Sequence, residues 1–132
     1  MTISDGELVT GTKLSYMMVK IARTSTSVDL TGASDDIICL HTERACTLLK
    51  ATLLYTTATG AGAGVTVRIG KETDDNYYYT GTSEVSKSQW YSKDVTLLQT
   101  DVAAGDTVTL GTAGGKADTG DIMLVIEYEV SG

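Results

Sequence analysis

The sequence predicts an all-β protein: an antiparallel β-sandwich, a jelly-roll of about eight strands with an extended N-terminal arm. Three observations lead there. Apolar residues alternate with polar ones at a period of two, as in Val65, Val67 and Ile69 against Thr66 and Arg68, which turns one face of a strand toward a core and the other toward water. Glycine-rich turn signals recur between the apolar runs, above all TGAGAG between CTLLKATLLYTTA and VTVRIG. Thr and Gly are heavily used while Phe and Pro are absent; a branched Cβ favours extended backbone and glycine favours tight turns.

A chain of 132 residues with 42% hydrophobic side chains is one domain's worth of globular sequence, able to bury about two thirds of its unfolded surface without a staple or metal. We expect an arm and first edge segment over residues 1–31 and the sandwich proper over 32–132. A net charge of −7 with ten scattered Lys and Arg works against nucleic acid as a partner, since phosphate binding needs clustered cations. The same charge disfavours an anionic membrane surface, and no apolar run reaches the ~20 residues that span a bilayer. MTISDGE lacks the basic and apolar segments of a secretory signal, so folding in a reducing cytoplasm is expected, with Cys39 and Cys46 as buried free thiols rather than a bridge.

In order along the chain, residues 1–12 read as a loose polar arm with an apolar patch at Leu8 and Val9. KLSYMMVKIAR, 13–23, fits helical spacing through Leu14, Met17, Met18 and Ile21 but also alternation through Leu14, Tyr16 and Met18. Extended structure is favoured because no helix-capping pair flanks it. Residues 24–36 are turn-rich, with one short strand at most around Val28 and Leu30, and 37–40 form a buried strand. HTERA, 41–45, turns into the long central strand. Leu49, Ala51, Leu53 and Tyr55 alternate there, although Ala45, Leu48, Leu49, Thr52 and Leu53 also form a helical stripe.

KETDDN, 71–76, reads as a polar turn before the strand YYYTGT, and SEVSKSQ, 83–89, as an exposed connection. Trp90, Tyr91, Val95, Leu97 and Leu98 are expected to share one strand. TDVAAGD, 100–106, is a turn, Val108 and Leu110 alternate with Thr107 and Thr109, and 111–121 make a long glycine-rich loop. The last strand, IMLVIEYEV, places Ile122, Leu124, Ile126, Tyr128 and Val130 on one face and Glu127 and Glu129 on the other. An immunoglobulin-like sandwich is the alternative, but Trp90 follows both cysteines instead of standing between them.

Chemistry-bearing patterns are sparse. Cys39, His41 and Cys46 make an incomplete zinc corner, because a structural zinc site wants four ligands. Cys39 and His41, two apart, would share a strand face, yet nothing supplies an orienting group or an oxyanion hole. The acidic pairs at Asp35 and Asp36, Asp74 and Asp75, and Asp118 and Asp121 lack calcium-loop spacing. GAGAG and TAGGK lack the ending of a phosphate loop. Neither an enzyme nor a cofactor or metal site is expected. The aromatics Tyr77, Tyr78, Tyr79, Trp90 and Tyr91 suit core packing, a subunit interface or stacking on sugar faces.

The C-terminal run DVTLLQTDVAAGDTVTLGTAGGKADTGDIMLVIEYEV resembles the end of the small jelly-roll decoration, or cement, proteins of tailed bacteriophage capsids. The resemblance spans roughly 37–132: a Gly-Asp turn before a Thr-alternating strand, a glycine-rich loop, then an apolar strand ending in acidic and Tyr residues. It implies an auxiliary virion protein on the capsid exterior, assembled in the host cytoplasm. Such a protein is usually a homotrimer near threefold positions that clamps adjacent major capsid subunits through its arm. Leu8, Val9, Leu14, Tyr16, Met17, Met18, Val19 and Ile21 are the contact residues this reading singles out. The alternative is a carbohydrate- or receptor-binding module of a phage tail or fibre, with the five aromatics lining its groove.

Overall fold

In a computed structural model, which describes residues 19–31, 34–113 and 119–130, ten strands form two facing antiparallel sheets, and no helix occurs among the described residues. In chain order they are β1 (Lys20–Arg23), β2 (Val28–Asp29), β3 (Ser34–His41), β4 (Cys46–Thr57), β5 (Thr66–Lys71), β6 (Asp74–Thr82), β7 (Ser92–Val95), β8 (Asp101–Val102), β9 (Thr107–Ala113) and β10 (Asp121–Val130). One sheet has the order β3-β9-β5-β6. The other runs β1-β10-β4-β7, with β2 also pairing β10 and β8 also pairing β4. Only β5 and β6 are joined as a hairpin of sheet neighbours; the other connections cross between sheets or follow one edge. That alternation is what makes the sandwich jelly-roll-like rather than a meander.

The core lies between the sheets and is filled by the alternation the sequence displays. Leu53 and Tyr55 from β4, Val67 and Ile69 from β5, Val108 and Leu110 from β9, and Ile122, Leu124 and Ile126 from β10 are all buried. With no Phe in the chain, two tyrosines, Tyr55 and Tyr78, are its largest wholly buried side chains.

Several strands differ from the sequence expectation, each for a local reason. Lys71 pairs with Asp74, so the turn shrinks to two residues and Asp74–Asn76 join β6. Asp36 belongs to β3, where it meets Arg68 of β5 at 3.4 Å. Gly111–Ala113 extend β9 against β5 instead of opening a loop. Trp90 stands in a turn, and β7 ends at Val95, leaving Leu97 and Leu98 outside it.

Bulges correct the faces of three residues. In the β3–β9 register His41 faces Thr107, Leu40 faces Val108 and Ile38 faces Thr109, so Cys39 is the extra residue. An inserted residue reverses the alternation beyond it. Cys39 therefore points inward, its Sγ 3.7 Å from the Leu124 carbonyl, whereas His41 points outward and bonds Thr107 Oγ1 through Nδ1 at 3.0 Å. They do not share a face. A second bulge, opposite the Glu127–Tyr128 step of β10, leaves Leu49 unpaired and exposed.

Candidate contact surfaces

Both cysteines are free and buried. Burial pushes the Cys39 thiol up to about 12 and raises that of Cys46, so neither supplies a thiolate near neutral pH. Among the described residues no three His, Cys, Asp or Glu side chains converge as metal ligands. What the fold does build is two differently shaped ends.

The first end carries a cleft of about 310 Å³. Its walls are Cys46, Tyr77, Val102 and Ala103, and its charged rim is Lys71, Asp101 and Asp106. The β5–β6 hairpin shapes one side, because Gly70 lets the two strands approach: a Cβ there would lie 2.2 Å from the Asp75 carbonyl oxygen. Beyond that point the β6 register jumps, with Ile69 opposite Tyr79. Tyr78 falls in the resulting irregularity and drops into the core, its ring edge-on to Tyr77 at 4.9 Å, while Lys71 Nζ sits 4.0 Å above the Tyr77 ring. Burial raises the Tyr78 phenol to about 12, and its hydroxyl has no hydrogen-bond partner among the described residues.

β1 and the end of β10 lie at this same end, since Lys20 faces Tyr128, Tyr128 faces Leu48 and Val130 faces Cys46. Val19 is 48% exposed and Ile21 68%. Of the sequence-expected contact residues these two lie on the surface; Leu8, Val9, Leu14, Tyr16, Met17 and Met18 lie outside the described residues.

The opposite end is organised by the loop 83–91. Its backbone is tied down along its length: Ser83 N donates to Val65 O, Ser86 N to Gly60 O and Trp90 N to Tyr55 O, while the carbonyls of Lys87 and Tyr91 accept from Thr59 N and Tyr55 N. Side chains add to this, with Lys87 N donating to Thr59 Oγ1 at 2.9 Å and Glu84 N to Tyr55 Oη at 2.8 Å. Lys93 Nζ donates to Glu84, holding that carboxyl below its usual range. On this fixed support Ser86 and Trp90 take left-handed φ values of 55° and 71°, a region that costs an L-residue roughly 1–2 kcal/mol. Trp90 nonetheless remains 62% exposed.

The five aromatics thus divide. Tyr78 is core, Tyr91 packs on Tyr55 with centroids 5.6 Å apart, and Tyr79 lies partly buried against the core. Tyr77 lines the cleft, which begins at Cys46, whereas Trp90 is bonded to Tyr55 at the far end of β4. Nine residues of strand put those ends about 30 Å apart. A single aromatic groove is not formed. Periodicity did not reveal the cleft residues Lys71, Asp101, Val102 and Ala103, which stand in turns and short strands; the Gly-Asp turn before Thr107 was the available signal.

The fold occurs in phage capsids. The chain is similar to a chain in the capsid of Helicobacter pylori bacteriophage KHP30, with 14% identity, a TM-score of 0.62, and 89% of this chain and 91% of that one covered. It is similar to a chain of the cyanophage Pam1 capsid, with 20% identity, a TM-score of 0.58 and coverage of 99% and 94%. For the capsid of Ralstonia phage GP4 the values are 16%, 0.63, 89% and 87%. At these identities the likeness is one of fold. No protein-family model and no curated protein sequence matches the chain.

Proposed function

We propose that this protein is a non-enzymatic virion component that binds the outer surface of a phage capsid and stabilises adjacent major capsid subunits. The observation that carries the reading is the fold likeness to chains of three phage capsids over nearly the whole length of each. The exposure of Val19 and Ile21 where the N-terminal segment joins the sandwich supports it.

Mechanistically, a protein that binds the assembled shell and not its dissociated subunits raises shell stability by mass action. Residues 1–18 span at most about 60 Å when extended, a reach available for a second capsid contact beyond the sandwich's own. A homo-oligomer, with the resemblance implying a trimer, multiplies that contact through avidity. The net charge of −7 suits the exterior better than a DNA-lined interior.

The test is co-sedimentation of assembled capsids with the full chain and with a chain lacking residues 1–18, a deletion that leaves β1 and its pairing with β10 whole. The full chain is expected to pellet saturably with shells, and the shortened one to bind about 100-fold more weakly. Equal binding by the two overturns the arm's role, and failure of both to bind overturns the capsid reading.

A further inference from the structure

Trp90 and the cleft are complementary in shape and charge but lie at opposite ends of one molecule. The loop holds its indole outward on a backbone in the left-handed region, fixed by bonds from Tyr55, Thr59 and Gly60. Strain retained under an exposed aromatic side chain points to a use for that side chain, and tryptophan is the residue most enriched at the centres of protein contacts. The cleft, at about 310 Å³, is larger than an indole ring, and Tyr77, Val102 and Ala103 offer it apolar walls.

The charges match as well. From Ser83 to Lys93 the chain sets two cations, Lys87 and Lys93, against one carboxylate, Glu84, which Lys93 engages, so Lys87 is the excess charge beside Trp90 in a chain with 17 acidic and 10 basic residues. The cleft rim sets Asp101 and Asp106 against one cation, Lys71. Because β4 separates the two features by about 30 Å, Trp90 cannot enter the cleft of its own chain.

We propose that this protein self-associates head to tail, the Trp90 side chain of one copy seating in the cleft walled by Tyr77, Val102 and Ala103 of the next. Such a contact uses different surfaces on the two copies, so it closes into a ring when the rotation allows and otherwise extends as a chain. It supplies an interface for the homo-oligomer of the proposed function and so rests on that reading, but it requires no capsid: self-association without pelleting on shells, or pelleting without self-association, tells the two failures apart.

Trp90 is the chain's single tryptophan, so its fluorescence reports this side chain alone. The experiment combines sedimentation velocity of the full purified chain over a concentration series with the emission spectrum. The wild type is expected to shift to larger species as concentration rises, with a parallel blue shift as the indole leaves water. Trp90→Gly, which suits the left-handed backbone, and Ala103→Arg, which fills the cleft from an exposed turn, should each weaken association by about 30-fold or more. Mixing the two variants leaves one intact knob and one intact cleft, and should restore a species no larger than a dimer. A wild type that stays monomeric, single variants that associate like the wild type, or a mixture that does not pair would each overturn the proposal. So would an emission shift produced by added oligosaccharide and not by concentration, which would make a glycan the occupant.

Discussion

At the Trp90 end, the loop 83–91 is held by a dense set of backbone and side-chain bonds to β4 and the segment after it, and it keeps two residues in the left-handed region. At the cleft end, the chain instead breaks its own regularity: the β6 register jumps beside Tyr77, which lines the hollow, and β4 carries a bulge at Leu49, three residues after the cleft's Cys46. One end is rigid and projecting, the other irregular and receptive. Both hang on the same strand, β4, whose first residue lines the hollow and whose Tyr55 anchors the loop. A sandwich can be specific in its contacts when its two ends differ in this way, because contact specificity comes from a few well-placed side chains rather than from the area offered.

The comparison breaks most severely at Gly70. In Gly70→Ala the new methyl would lie 2.2 Å from the Asp75 carbonyl oxygen and 2.3 Å from its carbon, backbone atoms that cannot swing aside. A loss on the order of 3 kcal/mol or more is expected in urea unfolding; a loss below ~1 kcal/mol would mean that the hairpin is looser than described.

Thr59→Val probes the rigid end with an intermediate effect. Thr59 is buried and its hydroxyl accepts from Lys87 N, so the substitution leaves that amide unpaired at about 1–2 kcal/mol. Amide exchange in residues 85–91 should accelerate while residues 101–106 stay unchanged. Acceleration at both ends would show that the two are not independent.

How much of this was legible in the sequence follows the same division. Alternation located the core of β10, where Ile122, Leu124 and Ile126 are buried at a period of two, and found Val67 and Ile69 of β5; in β9 it found Val108 and Leu110 but not the burial of every residue from Val108 to Thr112. It failed wherever one residue is inserted: nothing in SDDIICLH announces that Cys39 is a bulge, and so Cys39 and His41 were expected on one face. Aromatic residues favour strands, so the sequence alone gives no reason to take Trp90 and Tyr91 out of one. The left-handed backbone at Trp90 is imposed by bonds from Tyr55, 35 positions earlier, which no local pattern carries. The cleft was invisible for a related reason, since its walls come from four separate segments brought together only by the crossings between sheets.

The smallest effect concerns the clamp between Glu84 and Lys93. The Lys93 ammonium lowers the Glu84 carboxyl below its ordinary value, so this contribution to stability is full above the unfolded carboxyl pKa and fades as pH falls through the lower folded one. Glu84 in turn raises Lys93, and that contribution is full below the unfolded lysine pKa and fades as pH rises through the higher folded one. With side chains 38% and 26% exposed, screening keeps the effect to a few tenths of a kcal/mol. Urea midpoints of Lys93→Met should therefore differ from wild type at pH 7 and converge with it near pH 2; a constant difference would assign the effect to packing.

The central claim is that this protein works by contact through its ends and not by chemistry on its faces. Hydrogen exchange, compared between the free chain and the chain bound to assembled capsids, tests it most directly. New protection is expected at β1, in residues 19–23, while loop 83–91 and the cleft residues 100–106, engaged between copies, are already slow in the free chain. Protection confined to the outward faces of β4 and β5, or no change on binding at either end, would contradict it.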